Sequence, residues 1–271
     1  MHVHVFEQNR FSFADKVTPV ASAVSMNHIA TAPKSGKSGL QTDALTPTTT
    51  APFLDGTPYW GGDRIVSQQT IGGTQYVVQC TVTGQYGTAM MTAGHCGPSG
   101  TTWYQGYFDG AQIQYTGTMG TATTVKFGGN QIDSAYLAGG SYDRYIWGSL
   151  SNGGLLSLQL LGGQTQHTVC TDGSFTGLVC GASVNYIDVC AMINQDGTNI
   201  GVCGLDEAEN DSATIVQSGD SGGPVFATFT NNGTSYGTVY VMGTISAQSN
   251  NGHTVLFADY NQQEISFGGS W

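Results

Sequence analysis

The chain carries little charge. Asp, Glu, Lys and Arg make up 9% of its 271 residues, against about 25% in an ordinary soluble domain. Disorder driven by charge repulsion is therefore excluded, because that state needs many like charges and few apolar residues. Basic residues are scarcest, seven against eighteen acidic ones, for a formal net charge of −11. A surface of that sign repels phosphate backbones and anionic lipid, so a nucleic-acid or membrane-surface partner is excluded. No run of about eighteen apolar residues occurs, and no membrane-spanning helix is expected. The six cysteines contain no C-x-x-C pair, and no His/Cys/Asp spacing suggests a metal site, so no metal and no cofactor is expected.

What the chain has in quantity is glycine, 40 residues, set between short runs of Val, Ile, Thr and Tyr. That pattern favours a turn-rich, all-β protein. An even number of cysteines without metal spacing reads as disulfides, which persist in an oxidising compartment, so a secreted, extracellular protein is expected. A signal peptide is not legible: the apolar stretch 17–24 is short and broken by Thr18 and Pro19. The length allows one large domain or two small ones.

Residues 1–58 read as a tail, linker or propeptide remnant, with no periodicity, His2 and His4 as tail composition, and a Thr/Pro tract at 46–52 that should be extended and solvated. From Tyr59 the pattern changes to β-rich runs at hairpin spacing, 75–81, 88–92, 102–107, 111–115, 123–127 and 132–137, the signature of a barrel. A Gly/Ser-rich connector at 148–154 separates these from a second set, dividing the chain into a barrel over 59–150 and another over 151–271.

Two motifs bear on chemistry. Gly219-Asp220-Ser221-Gly222-Gly223-Pro224 sets one hydroxyl among glycines, where a nucleophile can stand clear of a turn and backbone N–H groups can point at the carbonyl it attacks. The bland alternative is a Gly-rich hairpin loop. Met91-Thr92-Ala93-Gly94-His95-Cys96 ends an apolar run in a histidine, which alone would more often be structural. Several acids lie between them in the chain. Asp109 reads as a hairpin turn and Asp143 as a loop residue, whereas Asp133 sits in a run otherwise suited to burial, where a carboxylate is costly unless it is hydrogen-bonded.

Taken together, the TAGHC and GDSGGP motifs resemble the chymotrypsin-fold serine proteases, specifically the secreted bacterial branch of streptogrisins and α-lytic protease, over roughly residues 59–271. The resemblance implies two antiparallel six-stranded β-barrels with the active site in the cleft between them and a short closing helix near 262–267. It implies peptide-bond hydrolysis by Ser221, His95 and Asp133, with the N–H groups of Gly219 and Ser221 as oxyanion hole. It implies polypeptide substrates, a monomer, and a substrate-binding edge at Ser246, Ala247 and Gln248, though Ser246 also reads as an ordinary strand-end serine. Cys80–Cys96 matches the disulfide beside the family's histidine, and 169–181 resembles a disulfide hairpin, implying Cys170–Cys180. Cys190 and Cys203 are then left to pair across a turn at 195–197. Sequence alone allows fifteen connectivities.

The chain also departs from the family. Thr171 stands where many relatives carry an arginine that pairs with the aspartate before the serine, so Asp220 needs Arg64, Arg144 or a new N-terminus as counter-ion. No cysteine precedes the serine motif to bridge the specificity pocket. Ile215, six residues before the serine, stands where trypsin-like members have an aspartate, which points to a neutral or apolar residue before the scissile bond. Residues 61–65 resemble the opening of mature bacterial enzymes, which sets maturation near 53–60; activation at Arg64-Ile65-Val66 is the alternative. Two other functions stay open: an inactive homologue acting as a binding module, and an α/β-hydrolase esterase, for which His253 and then Asp259 follow Ser221 in the wrong order.

Overall fold

The computed structural model describes residues 18–19, 22–25, 54–71, 73–148, 155–159, 168–195, 198–231 and 234–268. The Thr/Pro tract, connector residues 149–154, His2, His4 and the turn residues 196–197 lie outside them.

In chain order the strands are β1 (Thr18–Pro19), β2 (Ser22–Ser25), β3 (Tyr59–Gly61), β4 (Arg64–Ile71), β5 (Thr74–Thr81), β6 (Gly84–Tyr86), β7 (Ala89–Thr92), β8 (Thr102–Phe108), β9 (Ile113–Lys126) and β10 (Ser134–Ala138). There follow β11 (Tyr142–Trp147), β12 (Leu155–Gln159), β13 (Thr168–Gly173), β14 (Gly177–Gln195), β15 (Thr198–Glu209), β16 (Pro224–Asn231), β17 (Thr234–Ser249) and β18 (Thr254–Asp259), and then the helix α1 (Tyr260–Phe267). Asp259 caps that helix by accepting the Gln262 N–H at 3.0 Å, and Gly268 ends it at φ +66°. Left-handed backbone after the last turn suits glycine, which has no Cβ to clash.

Two sheets result. The first has the order β2-β5-β4-β8-β9-β10-β7-β6. Just past β5, Thr83 donates its N–H to Met91 of β7 at 2.7 Å, so the strands from β5 round to β7 curl until their ends meet. In the second sheet the path β16-β13-β14-β15-β18-β17 is closed by a β16–β17 pairing, a ring of six antiparallel strands with no free edge. Around these six-stranded cores the chain adds further strands: β12, β11, β3 and β1 extend the second sheet. β3 and β11 lie within 59–150, so the strand pairing crosses the division expected there. Each barrel is filled from its own inward-facing residues, Trp103, Met90, Met119 and Leu137 in the first and Val169, Val225, Ile245 and Phe257 in the second.

One expectation is corrected. The runs at 111–115 and 123–127 are a single long strand, β9, with register shifts against both neighbours. The glycines between them resemble turn signals but serve close approach: a Cβ on Gly117 would lie 2.6 Å from the Tyr59 hydroxyl oxygen.

The β14–β15 hairpin reaches out of the second barrel to the first. Cys203 donates its N–H to Gln131 at 3.1 Å and Asn130 donates to Gly201 at 3.0 Å. The loop between β9 and β10, which ends in Asp133, is thereby held from the opposite side of the cleft.

Candidate active site

His95 sits in a single 3₁₀ turn, Gly94–Cys96, directly after β7. Two features pin that turn: a Cys80–Cys96 disulfide to β5 and the Thr92 hydroxyl, which donates to the Thr81 carbonyl at 2.7 Å. Asp133 lies just before β10, which pairs with β7, so the acid and the ring meet because their strands are neighbours. The carboxylate is fully buried and is satisfied three times. Its Oδ1 accepts the His95 backbone N–H at 2.9 Å, and its Oδ2 accepts from His95 Nδ1 at 2.6 Å and from the Ser246 hydroxyl at 2.5 Å. Such bonds offset the cost of burying an anion.

Ser221 comes from the second barrel, in the turn before β16. Its carbonyl accepts the Thr81 N–H of β5 at 2.8 Å, and the next N–H, on Gly222, donates to Ile245 of β17 at 2.8 Å. The serine is thus tied to both sheets, and its Oγ lies 2.6 Å from His95 Nε2. Gly219 adopts φ +100°, and a Cβ there would fall 2.3 Å from the Phe175 ring, so both the backbone and the space demand glycine. The N–H groups of Gly219 and Ser221 donate to no other described residue.

Asp220 is fully buried, yet it makes no ion pair among the described residues. Its oxygens accept N–H groups from Phe175 at 2.9 Å, Thr176 at 3.1 Å and Gln217 at 2.8 Å, together with the Thr176 hydroxyl. Burial pushes its pKa up against these bonds. Arg64, one of the expected counter-ions, lies with its guanidinium 3.6 Å from the Phe175 ring centre and donates to the Ser174 carbonyl at 2.5 Å. Arg144 is exposed. Thr171 donates its hydroxyl to the Ile215 carbonyl at 2.6 Å.

The structure therefore brings Ser221, His95, Asp133 and Ser246 into one hydrogen-bonded line. Ser246 lies inside β17 and not at a strand end as one reading of the sequence has it, and it meets Asp133 through its side chain. Ala247 is buried, and Gln248 is half-buried on the same strand. Ile215 does not line an open surface: it packs in the second-barrel core with Val169, Val216 and Phe257. Gln195 was not legible as a site residue, because it reaches the His95 carbonyl, at 3.4 Å, only through the length of the hairpin. The cysteines are joined 80–96, 170–180 and 190–203. No group of acids, histidines or cysteines suited to a metal occurs among the described residues.

Chemically, an imidazole with one nitrogen on a hydroxyl and the other on a buried carboxylate can take the hydroxyl proton and be stabilised as the cation that results. Two N–H groups beside that hydroxyl can accept a developing negative charge.

No family model and no curated protein matches the chain. Solved structures do. A chymotrypsin from Cellulomonas bogoriensis superposes with a TM-score of 0.52 at 24% identity, covering 77% of this chain and 95% of its own. Protease A from Thermobifida fusca gives 0.52 at 20% identity, covering 77% and 95%. Nocardiopsis protease gives 0.51 at 22%, covering 77% and 96%. The chain has the chymotrypsin fold. An α/β-hydrolase is excluded by the largely antiparallel pairing of both sheets.

Proposed function

We propose that the protein is a serine endopeptidase that hydrolyses peptide bonds through an acyl-enzyme and works outside the cytoplasm, where three disulfides persist. The observation that supports this most directly is the unbroken line from Ser221 Oγ through His95 to Asp133, with both links at 2.6 Å. Ser221 attacks the carbonyl carbon while His95 removes its proton. The imidazolium, held by Asp133, then protonates the leaving amine, and water repeats the sequence to free the acid. The oxyanion faces the N–H groups of Gly219 and Ser221, and losing one such donor costs about 10²–10³ in turnover.

The residue before the scissile bond is neutral or apolar. Ile215, packed in the barrel core, supplies no carboxylate at the position where trypsin-like members carry one, and an unpaired buried cation is costly. The experiment is labelling by a fluorophosphonate alongside hydrolysis of a peptide panel, with Ser221→Ala as control. The expected result is label on Ser221 only, none in the variant, and slow cleavage after Arg or Lys. An intact, folded protein that neither labels nor cleaves is an inactive binding module instead.

A further inference from the structure

The serine turn is gripped by hydroxyls that come from the other barrel. Thr81 closes β5, and its side chain donates to the Gly219 carbonyl at 2.9 Å. Its backbone N–H donates to the Ser221 carbonyl at 2.8 Å. One first-barrel residue therefore holds the carbonyls of the same two residues whose N–H groups face the proposed oxyanion. Two positions on, the Thr83 hydroxyl donates to the Gly222 carbonyl at 2.7 Å, one residue past the nucleophile.

Proton counting fixes the Thr81 hydroxyl. A threonine hydroxyl has one proton to give and two lone pairs to fill. The proton goes to Gly219, and the lone pairs face the Ser174 N–H at 3.2 Å and the Ser174 hydroxyl at 2.8 Å. With its only proton committed, Thr81 is the acceptor in its bond with the Ser174 hydroxyl. That hydroxyl accepts in turn from Arg64 Nε at 3.3 Å. A chain of donors runs from a guanidinium through two hydroxyls to one carbonyl, and each bond polarises the next. Thr81 and Ser174 are both buried, so water does not compete for these positions.

What this chain holds is a peptide that would otherwise turn easily. Gly219 stands at φ +100° with no side chain to resist rotation. The peptide joining it to Asp220 is tied at both ends, its carbonyl to Thr81 and its N–H to the Gln217 carbonyl at 3.1 Å.

Resting on the proteolytic reading above, we propose that Thr81 is a positioning residue of the oxyanion hole. Without touching substrate, its hydroxyl fixes the Gly219 carbonyl and so aims the Gly219 N–H at the charge that develops on the scissile carbonyl oxygen. That aim matters most in the transition state, because the ground-state carbonyl carries little charge for the N–H to meet. Losing the hydroxyl should therefore lower kcat and leave KM nearly unchanged.

The test uses the full chain as parent, Thr81→Val, Thr81→Ser and Thr83→Val. For each, kcat and KM are measured on a peptide anilide, together with inhibition by a matched peptide aldehyde. Ser221 Oγ adds to the aldehyde carbon, and the former carbonyl oxygen turns to the same two N–H groups. Thr81→Val should lose about 10- to 100-fold in kcat, short of the loss from deleting a donor outright. Its KM should stay within about twofold, and its aldehyde affinity should fall in proportion to kcat/KM. Thr81→Ser keeps the hydroxyl and should return to within about threefold of the parent. Thr83→Val unties the same turn at a residue outside the hole, and should cost no more than about threefold in kcat. Thr81→Ala, which adds no bulk, carries the same expectation as Thr81→Val should the valine form fail to fold. Equal kcat losses in Thr81→Val and Thr83→Val, a Thr81→Val loss confined to KM, or no recovery in Thr81→Ser overturns the proposal and leaves the proteolytic reading intact. A folded parent that cleaves no peptide and takes no aldehyde overturns both.

Discussion

The two walls of the cleft hold their buried aspartates by different means. Asp133, beside the first barrel, accepts from an imidazole, a backbone N–H and a serine hydroxyl that crosses from β17. Asp220, in the second barrel, accepts three backbone N–H groups and a threonine hydroxyl, all from the segments that frame the serine turn. An imidazole can change its protonation state during a reaction, whereas a backbone N–H cannot. In the proposed mechanism the first acid therefore follows a moving proton, whereas the second holds a loop at fixed dihedrals.

Asp133→Asn offers the largest break in that contrast. The amide keeps the shape but reverses the hydrogen-bonding sense toward Nδ1, so turnover should fall by about 10⁴, the loss known for this change in well-studied Ser-His-Asp enzymes. The melting temperature should fall far less than the rate. Steady-state hydrolysis with a thermal melt on the same sample checks both.

Asp220→Asn should behave in the opposite proportion. Turning an acceptor into an NH₂ group opposes at least one of its donors, at about 1–3 kcal/mol for a buried unsatisfied group. The N–H groups of Gly219 and Ser221 lose their aim as the turn relaxes, for about 10²-fold in turnover. Stability and rate should fall together. A variant with an unchanged melt and a 10⁴-fold rate loss would put Asp220 in the chemistry and erase the distinction.

The disulfides repeat the comparison on a smaller scale. Cys80–Cys96 and Cys190–Cys203 span similar separations, 16 and 13 residues, so chain entropy gives each about 3 kcal/mol. Only the first is covalently next to the histidine. Serine replacement of Cys80 and Cys96 should cost up to about 10²-fold in turnover through misplacement of the ring. Replacement of Cys190 and Cys203 should lower the melting temperature comparably and turnover only severalfold, since it acts through the hairpin and Gln195. Matched melts with the two turnover losses reversed would mean that the hairpin, and not the 3₁₀ turn, positions the imidazole.

These differences also explain what the sequence could convey. That His95, Asp133 and Ser221 meet was legible from their local settings: an apolar run ending in a histidine, an acid in a run suited to burial, a serine among glycines. The barrels were legible from hairpin spacing, except where Gly117 and its neighbours mimicked a turn inside β9. The Asp220 environment was not legible, because backbone N–H groups leave no mark on residue identity. Without an arginine at position 171, the sequence pointed to a counter-ion; the turn at 174–176 supplies the direct donors, and the Arg64 charge acts on Asp220 without an ion-pair contact. Ser246 on Asp133 and Gln195 on His95 were hidden for a related reason: both contacts are made by partners more than 90 residues apart, and no local pattern encodes them.

The gentlest probe of the structural acids is pH. Burial raises the pKa of Asp55 to about 6, against a hydrogen bond from Gln105, and that of Asp206 to about 7, with the charges of Asp259 and Asp188 adding to it. Both values exceed the ordinary 3.8, so the folded state binds these protons more tightly than the unfolded chain does. The stability this confers is complete below about pH 4 and is lost as pH rises through 6 and then 7. Asp220 shifts in the same direction. The melting temperature should therefore drift down by a few degrees between about pH 4 and 7. Asp206→Asn removes one of the titrating groups, and its melting temperature should depend less on pH between about pH 4 and 7. An undiminished slope in that variant would assign the drift to another group, and a melting temperature that climbs with pH in the parent would mean that these carboxylates hold their charges more comfortably than their burial implies.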